Sequence, residues 1–204
     1  MNHVSALLLA AGRSSRMGRL KGLLPWQGKP LIEWQITQLR QSVIDDLIVV
    51  LGYQAEQYEP YLQAFEITTV LNTDCNRGKC SSILKGLQSV TPHTDAILIA
   101  AVDQPMRGET VNRMIRFMEQ SDKGIVIPVY RGKRGHPVLF SATLREELLQ
   151  INEETQGLKN VLRTQSEKIA ELHIDDSYVL YNFNRPSDFL SACYEERKET
   201  NAYK

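Results

Sequence analysis

Between Leu9 and Lys21 the chain sets small residues and cations at a spacing suited to a polyphosphate. Ala10, Ala11 and Gly12 let a ligand lie directly against backbone amides, and Gly18 permits a turn that other residues resist. Arg13, Arg16 and Lys21 fall within nine positions of one another. Successive N–H groups backed by Arg and Lys are what a triphosphate requires. No Gly-Lys-Ser/Thr follows, so this is not a Walker loop, and the GxGxxG dinucleotide spacing is missing. Taken alone, the segment fits a solvated basic loop as well. A second pointer is Asp103, delivered at the end of the apolar run Ala96–Val102 and followed by Gln104-Pro105. A carboxylate there offers a hard oxygen ligand to Mg²⁺, which binds through one or two carboxylates plus substrate phosphates. An Asp at a strand-to-turn corner is the plainer alternative.

The elements that would carry these groups alternate. Val4–Ala10, Asp46–Leu51, Ile67–Leu71, Ala96–Val102 and Gly124–Val129 read as strands from their length and β-branched content. Between them Pro30–Gln41, Gln54–Ala64, Ser81–Val90 and Thr110–Gln120 have helical spacing. Pro30 suits a first helical position, and Ser81 or Ser82 an N-cap. Strands without alternating polarity, each followed by a helix, predict a mostly parallel α/β sheet covered on both faces. Ligands of such sheets bind beyond the carboxyl ends of the strands. In the second half, two short extended pieces flank the polar turn Arg131–Gly135. Helices are expected over Thr143–Gln150 and Gly157–Thr164, strands over Lys168–Ile174 and Tyr178–Tyr181, and a terminal helix over Pro186–Lys198. The polar residues beyond it are expected to fray.

At 204 residues, with 42% apolar and 24% charged residues, the chain suits one domain with a real core. Residues 1–105 are expected to form a nucleotide-binding half and 106–204 an acceptor-binding half. Acidic and basic side chains balance at 24 each, so nothing suggests a general nucleic-acid or membrane-surface binder. Val4–Ala11 is too short to span a bilayer and no targeting segment is visible. Cys75, Cys80 and Cys193 form no CxxC pair, which suggests a reducing, cytoplasmic compartment.

The loop carries a more specific resemblance. Leu9-Ala10-Ala11-Gly12, Arg16-Met17-Gly18, Lys21, Leu23-Leu24-Pro25 and Gly28-Lys29-Pro30-Leu31 resemble the signature of the MobA-like nucleotidyltransferases, which modify the molybdenum cofactor. The resemblance implies a Rossmann-like, three-layer fold of the nucleotide-diphospho-sugar transferase type. It implies that Gly12, Arg16 and Lys21 hold the triphosphate, with Arg13 beside them, and that Leu9, Ala10 and Ala11 line the base. Asp103-Gln104-Pro105 resembles the family's metal segment. Gly78-Lys79-Cys80-Ser81-Ser82 resembles a segment that contributes to nucleotide binding, from which Ser82 carries over. Cys75 stands where the family often has an aromatic residue and Lys79 where it often has Met. Gly135-His136-Pro137 resembles a segment lining the acceptor side, which makes His136 an acceptor-binding residue. Asn182-Phe183-Asn184-Arg185-Pro186 falls where the family has Asp-Ile-Asp-Thr-Pro or Asn-Ile-Asn-Thr-Pro. Asn182 and Asn184 are therefore expected on the acceptor side, and Asn184 as a second Mg²⁺ ligand through its amide oxygen. Glu154-Thr155-Gln156-Gly157 departs from the family's Gly-Asp-x-Gly stretch.

Together these imply a nucleotidylyltransferase with Arg16, Lys21 and Asp103 as the catalytic groups and Mg²⁺ as the cofactor. Ala11, where guanylyl-transferring relatives tend to have Gly, resembles the branch that attaches CMP; the asparagines at 182 and 184 point the other way. The expected substrates are CTP and a molybdopterin-type acceptor, with a molybdenum hydroxylase such as a xanthine dehydrogenase as the protein served. Alternatives are transfer to a sugar phosphate or another phosphorylated metabolite, a non-catalytic molybdenum cofactor carrier or chaperone, and an NAD(P)-dependent oxidoreductase. The last suffers from the missing GxGxxG.

Overall fold

The structure is a computed structural model that describes residues 1 and 3–202, with side chains as far as residue 198. The chain runs through β1 (Val4–Ala10), a short hairpin of β2 (Pro25–Trp26) and β3 (Lys29–Pro30), α1 (Leu31–Arg40), β4 (Asp46–Leu51), α2 (Glu59–Leu62) and β5 (Thr68–Leu71). Next come α3 (Lys79–Leu87), β6 (Ala96–Ala101), α4 (Gly108–Glu119), β7 (Ile125–Tyr130), β8 (Lys133–Arg134) and β9 (Val138–Ser141). It ends with α5 (Arg145–Leu149), α6 (Leu158–Thr164), β10 (Ile169–His173) and α7 (Pro186–Ala202). The expectation of a frayed end falls on residues 203 and 204 and on side chains after 198, which lie outside the described residues.

The main sheet has the order β10-β7-β9-β6-β1-β4-β5, with β8 hung on β7. β1 pairs in parallel with both β4 and β6, whereas β9 runs antiparallel to β6 and β7. The expected Rossmann-like, mostly parallel sheet is therefore present. Every residue of β1 and of β6 is buried, as strands covered on both faces must be. The two-residue side-chain period splits the core. Val4, Ala6, Leu8 and Ala10 pack on one face with α1 and α4, through Ile32, Ile36, Val111 and Met114. Leu7 and Leu9 pack on the other with α3, through Ile83 and Leu87, and with Leu148 and Val161 of α5 and α6. This makes three layers. Each fully buried Leu or Ile contributes about 1.5–3 kcal/mol, so this core outweighs any single polar contact described below.

Four local readings change. α3 begins at Lys79 with Gly78 as its N-cap, so Ser81 and Ser82 sit inside the first turn and not at the cap. Gly78 is at φ 100°, and a β-carbon there would run into the Glu153 carboxylate; glycine is what lets the helix start this early. Pro30 caps α1 from outside while pairing within the β2–β3 hairpin. The expected helix 54–64 is interrupted: Gln54 is left-handed at φ 53°, followed by a 3₁₀ turn at Ala55–Gln57 and the short α2. Tyr178–Tyr181, expected as a strand, is part of a 3₁₀ turn over Ser177–Leu180. Tyr178 and Val179 are buried in succession, a pattern no half-buried strand can give, because tertiary packing draws Tyr178 onto Trp26.

Candidate active site

The register Leu9↔Ala101 between β1 and β6 brings the carboxyl ends of both strands to one edge. Two residues further on, Ala11 and Asp103 open into the same cleft, of about 410 Å³. Leu9, Ala11 and Gly12 line it from the first loop, together with Arg16 and Lys21. Ser82 lines it from α3, and Asn182 and Asn184 from the segment before α7. Ala10 and Arg13 stand elsewhere. Ala10 points to the opposite face of β1 into the core beside Leu20 and Tyr58, as the strand period requires. Arg13 is exposed, with its guanidinium 5.6 Å from the centre of the Tyr53 ring.

The loop after β1 is held by its apolar residues. Met17 and Leu20 are buried at 7% and 4% exposure, whereas Arg16, Gly18 and Arg19 remain exposed. The Met17 amide donates to the Ser14 carbonyl, and the Lys21 amide to the Ser14 hydroxyl at 3.1 Å. Gly18 adopts φ 74°, the left-handed turn expected of it. Two hydrophobic anchors thus fix the loop, with Arg16 and Lys21 on either side of them.

Lys21 is the meeting point of the cleft. Its ammonium donates to Asp103 Oδ2 at 2.6 Å and to Asn184 Oδ1 at 3.2 Å. The pair is partly buried, at 14% and 20% side-chain exposure. Two oxygens from distant parts of the sequence therefore converge on one cation. Asn182 also lines the cleft, and its Oδ1 is buried without a hydrogen-bond partner among the described residues. Hard oxygens so arranged fit Mg²⁺, which keeps several non-protein ligands.

Neighbouring groups fix this geometry. The Phe183 amide donates to the Asp103 carbonyl at 2.8 Å, so the 182–184 segment is tied to the end of β6. Phe183 is itself buried against Trp26 and Phe189. Asp188 accepts from the amides of Asn184 and Arg185 at 3.0 and 2.8 Å, which caps α7 and sets the asparagines. Gln35, fully buried on α1, donates to the carbonyls of Val102 at 2.7 Å and Ala101 at 3.3 Å, clamping the turn that carries Asp103. On the α3 side, Asn72 donates to the Ser82 hydroxyl at 3.0 Å. Gly52 passes so close to Ala11 and Cys75 that an added β-carbon would lie 2.8 and 2.9 Å from theirs.

Sequence reasoning missed four contributors. Gln35 looks like any polar residue of an amphipathic helix. Tyr58 lines the cleft although it is only 1% exposed, and burial pushes its phenol up to about 12. Gln104 lines it too, with its backbone amide bonded to Ala101. Lys79 reaches the cleft from the first turn of α3. Lys79 is exposed at the wall of the cleft; desolvation and then the like charge of Lys21 lower its pKa, against the opposing pull of Asp103.

His136 is half-buried and does not line the cleft itself, although the charges of Lys79 and Asp103 reach it. Burial, reinforced by Lys79, pushes its imidazole down to about 4. The unfolded chain protonates this group near 6.5 and the folded one near 4, so unfolding takes up a proton between those values. Stability is therefore expected to fall as pH falls through that window. Between pH 7 and pH 5 this single group accounts for about 1–2 kcal/mol after discounting for partial exposure. Urea midpoints at the two pH values should differ less in His136→Gln than in the unsubstituted chain. Identical pH slopes would refute the assignment. His3, raised by its bond to Asp46, titrates in the opposite sense and is common to both proteins.

A cation-rich loop and a strand-end carboxylate over a parallel sheet define a nucleotidyltransferase, and the comparisons place the chain in that class. The MobA-like NTP transferase domain matches residues 6–169, and the chain belongs to that family. It is 25% identical over 193 residues to a molybdenum cofactor cytidylyltransferase of Escherichia coli (strain K12), covering 94% of this chain and 96% of the relative. It is 29% identical over 207 residues to a probable molybdenum cofactor guanylyltransferase of Natranaerobius thermophilus, with 94% and 95% covered. A nucleotidyl transferase structure from Methanothermobacter superposes with a TM-score of 0.80 at 27% identity, covering 94% and 96% of the two chains. A manganese complex from Mycobacterium tuberculosis H37Rv superposes with a TM-score of 0.78 at 25% identity, covering 93% and 97%. Among the described residues, no helix is long and apolar enough to cross a membrane.

Proposed function

We propose that the chain transfers CMP from CTP to the phosphate of a molybdopterin-type acceptor in the cytoplasm, with release of pyrophosphate, and so supplies a hydroxylase of the xanthine dehydrogenase type. The convergence of Lys21, Asp103 and Asn184 beside the glycine loop carries this reading. Residues 1–105 supply most of the nucleotide-binding side, and residues 106–204, Asn182 and Asn184 among them, most of the acceptor side. Asp103 and Asn184 would hold Mg²⁺, which when bound neutralises phosphate oxygens.

An acceptor phosphate oxygen forms a bond to the α-phosphorus while the bond to the bridging oxygen of pyrophosphate breaks. A phosphomonoester is already nucleophilic near neutral pH, so no general base is required. Arg16 and Lys21 stabilise the charge that accumulates on the leaving pyrophosphate, and the Gly12 amide orients the chain of phosphates. Catalysis is then positioning and charge neutralisation.

The base reading rests on Ala11. Its side chain is 3% exposed and is backed by Gly52 and Cys75, leaving the methyl no room to withdraw from a larger base. A methyl group in a packed pocket is worth about 1–3 kcal/mol, or 10- to 200-fold. A panel of the four nucleoside triphosphates with molybdenum cofactor, scored by pyrophosphate release, should favour CTP over GTP within that range. Ala11→Gly should narrow the preference. Turnover with GTP equal to that with CTP would refute the base reading, and release with sugar phosphates but not the pterin would refute the acceptor.

A further inference from the structure

Four features single out Lys79. It lines the same cleft as Arg16, Lys21 and Asp103, but from a different wall, the start of α3. Among the described residues no carboxylate lies within 4 Å of its ammonium, whereas Lys21 is already committed to Asp103 and Asn184. The anion position at the amino end of α3 is filled from within, because the Cys80 amide donates to Glu153 Oε1 at 2.7 Å. An incoming anion on this wall is offered the Lys79 ammonium, with the Cys80 amide already engaged by Glu153. Finally, Lys79 shares the cleft with Asp103, and its charge reaches the half-buried His136.

Nucleotidyl transfer to a phosphorylated acceptor brings two polyanions together, and each needs its own cation. Arg16 stands beside the glycine loop and serves the triphosphate. We propose that Lys79 is the anchor for the second polyanion: its ammonium receives the attacking phosphomonoester dianion and holds it beside Asp103, on the His136 side of the cleft. This rests on the reading that the acceptor presents a phosphate. The cleft works in the same direction, since a cation on a cleft wall gains more from an arriving dianion than one in open water does. The acceptor phosphate thereby replaces contacts that Lys79 lacks in the free protein.

The test uses the full chain with Mg²⁺, the non-transferable analogue α,β-methylene-CTP, and inorganic phosphate as the acceptor probe, followed by calorimetry and phosphorus NMR. Lys79→Met should bind the nucleotide analogue as the unsubstituted chain does, but bind phosphate about 10- to 100-fold more weakly in its presence. Lys79→Arg should restore most of that loss. Equal phosphate affinity in Lys79→Met would overturn the anchor while leaving nucleotide binding intact. A matched loss of analogue affinity would overturn it in favour of a nucleotide contact. Failure of the unsubstituted chain to bind the analogue at all would remove the transferase reading, and the anchor with it.

Discussion

Asp103→Ala is expected to lower turnover by more than about a thousand-fold, a larger loss than removal of a single preorganised donor gives. Asp103 is the only carboxylate lining the cleft among the described residues, so no neighbour can replace its charge. Raising Mg²⁺ should not rescue the variant, because Asn184 alone offers a neutral oxygen. The fold should survive. The Lys21–Asp103 pair is mostly buried, so removing the carboxylate leaves the ammonium unmatched at a cost of up to about 3–5 kcal/mol, still small beside the core around β6. The variant should therefore melt somewhat lower but still cooperatively, while kcat collapses. Near-normal turnover at saturating Mg²⁺ would show that the carboxylate does not hold the metal.

Lys21→Ala is expected to cost about a hundred- to a thousand-fold in turnover, for a different reason. Its ammonium now sits between Asp103 Oδ2 and Asn184 Oδ1. In the reaction it would face the departing pyrophosphate. Losing it should leave Asp103 with an unmatched negative charge in the free protein, so the variant should bind Mn²⁺ alone more tightly even as it turns over more slowly. Titration of Mn²⁺ by electron paramagnetic resonance, without nucleotide, separates the two effects. Weaker Mn²⁺ binding in Lys21→Ala would contradict the shared-cation geometry.

Much of the fold was legible because its signals are local. Val4–Ala10, Asp46–Leu51 and Ala96–Val102 are apolar on both faces, and only a sheet covered on both sides can use such strands. The Leu9–Lys21 loop and Asp103 were legible for the same reason, since each is contiguous and its chemistry is written in residue type. Gln35 was not: its two bonds to the β6 turn span more than sixty positions, and nothing in the helix around it marks them. Nor was the Ser177–Leu180 turn, where aromatic residues that favour strands were claimed instead by Trp26 and Trp34. The positions of Ala10 and Arg13 show the limit from the other side. A motif names a run of residues, but the strand period at Ala10 and the course of the loop at Arg13 decide which of them face the cleft.

The aromatic cluster of Trp26, Phe183 and Phe189 has a bearing on genetics. Asn182 and Asn184 flank a phenylalanine whose ring lies deep in that cluster, so their aim depends on side chains that never meet a substrate. A random screen for inactive alleles would collect substitutions in the β2–β3 hairpin and in α7 alongside those in the glycine loop. Such alleles would mark the mounting of the machinery, not its working parts.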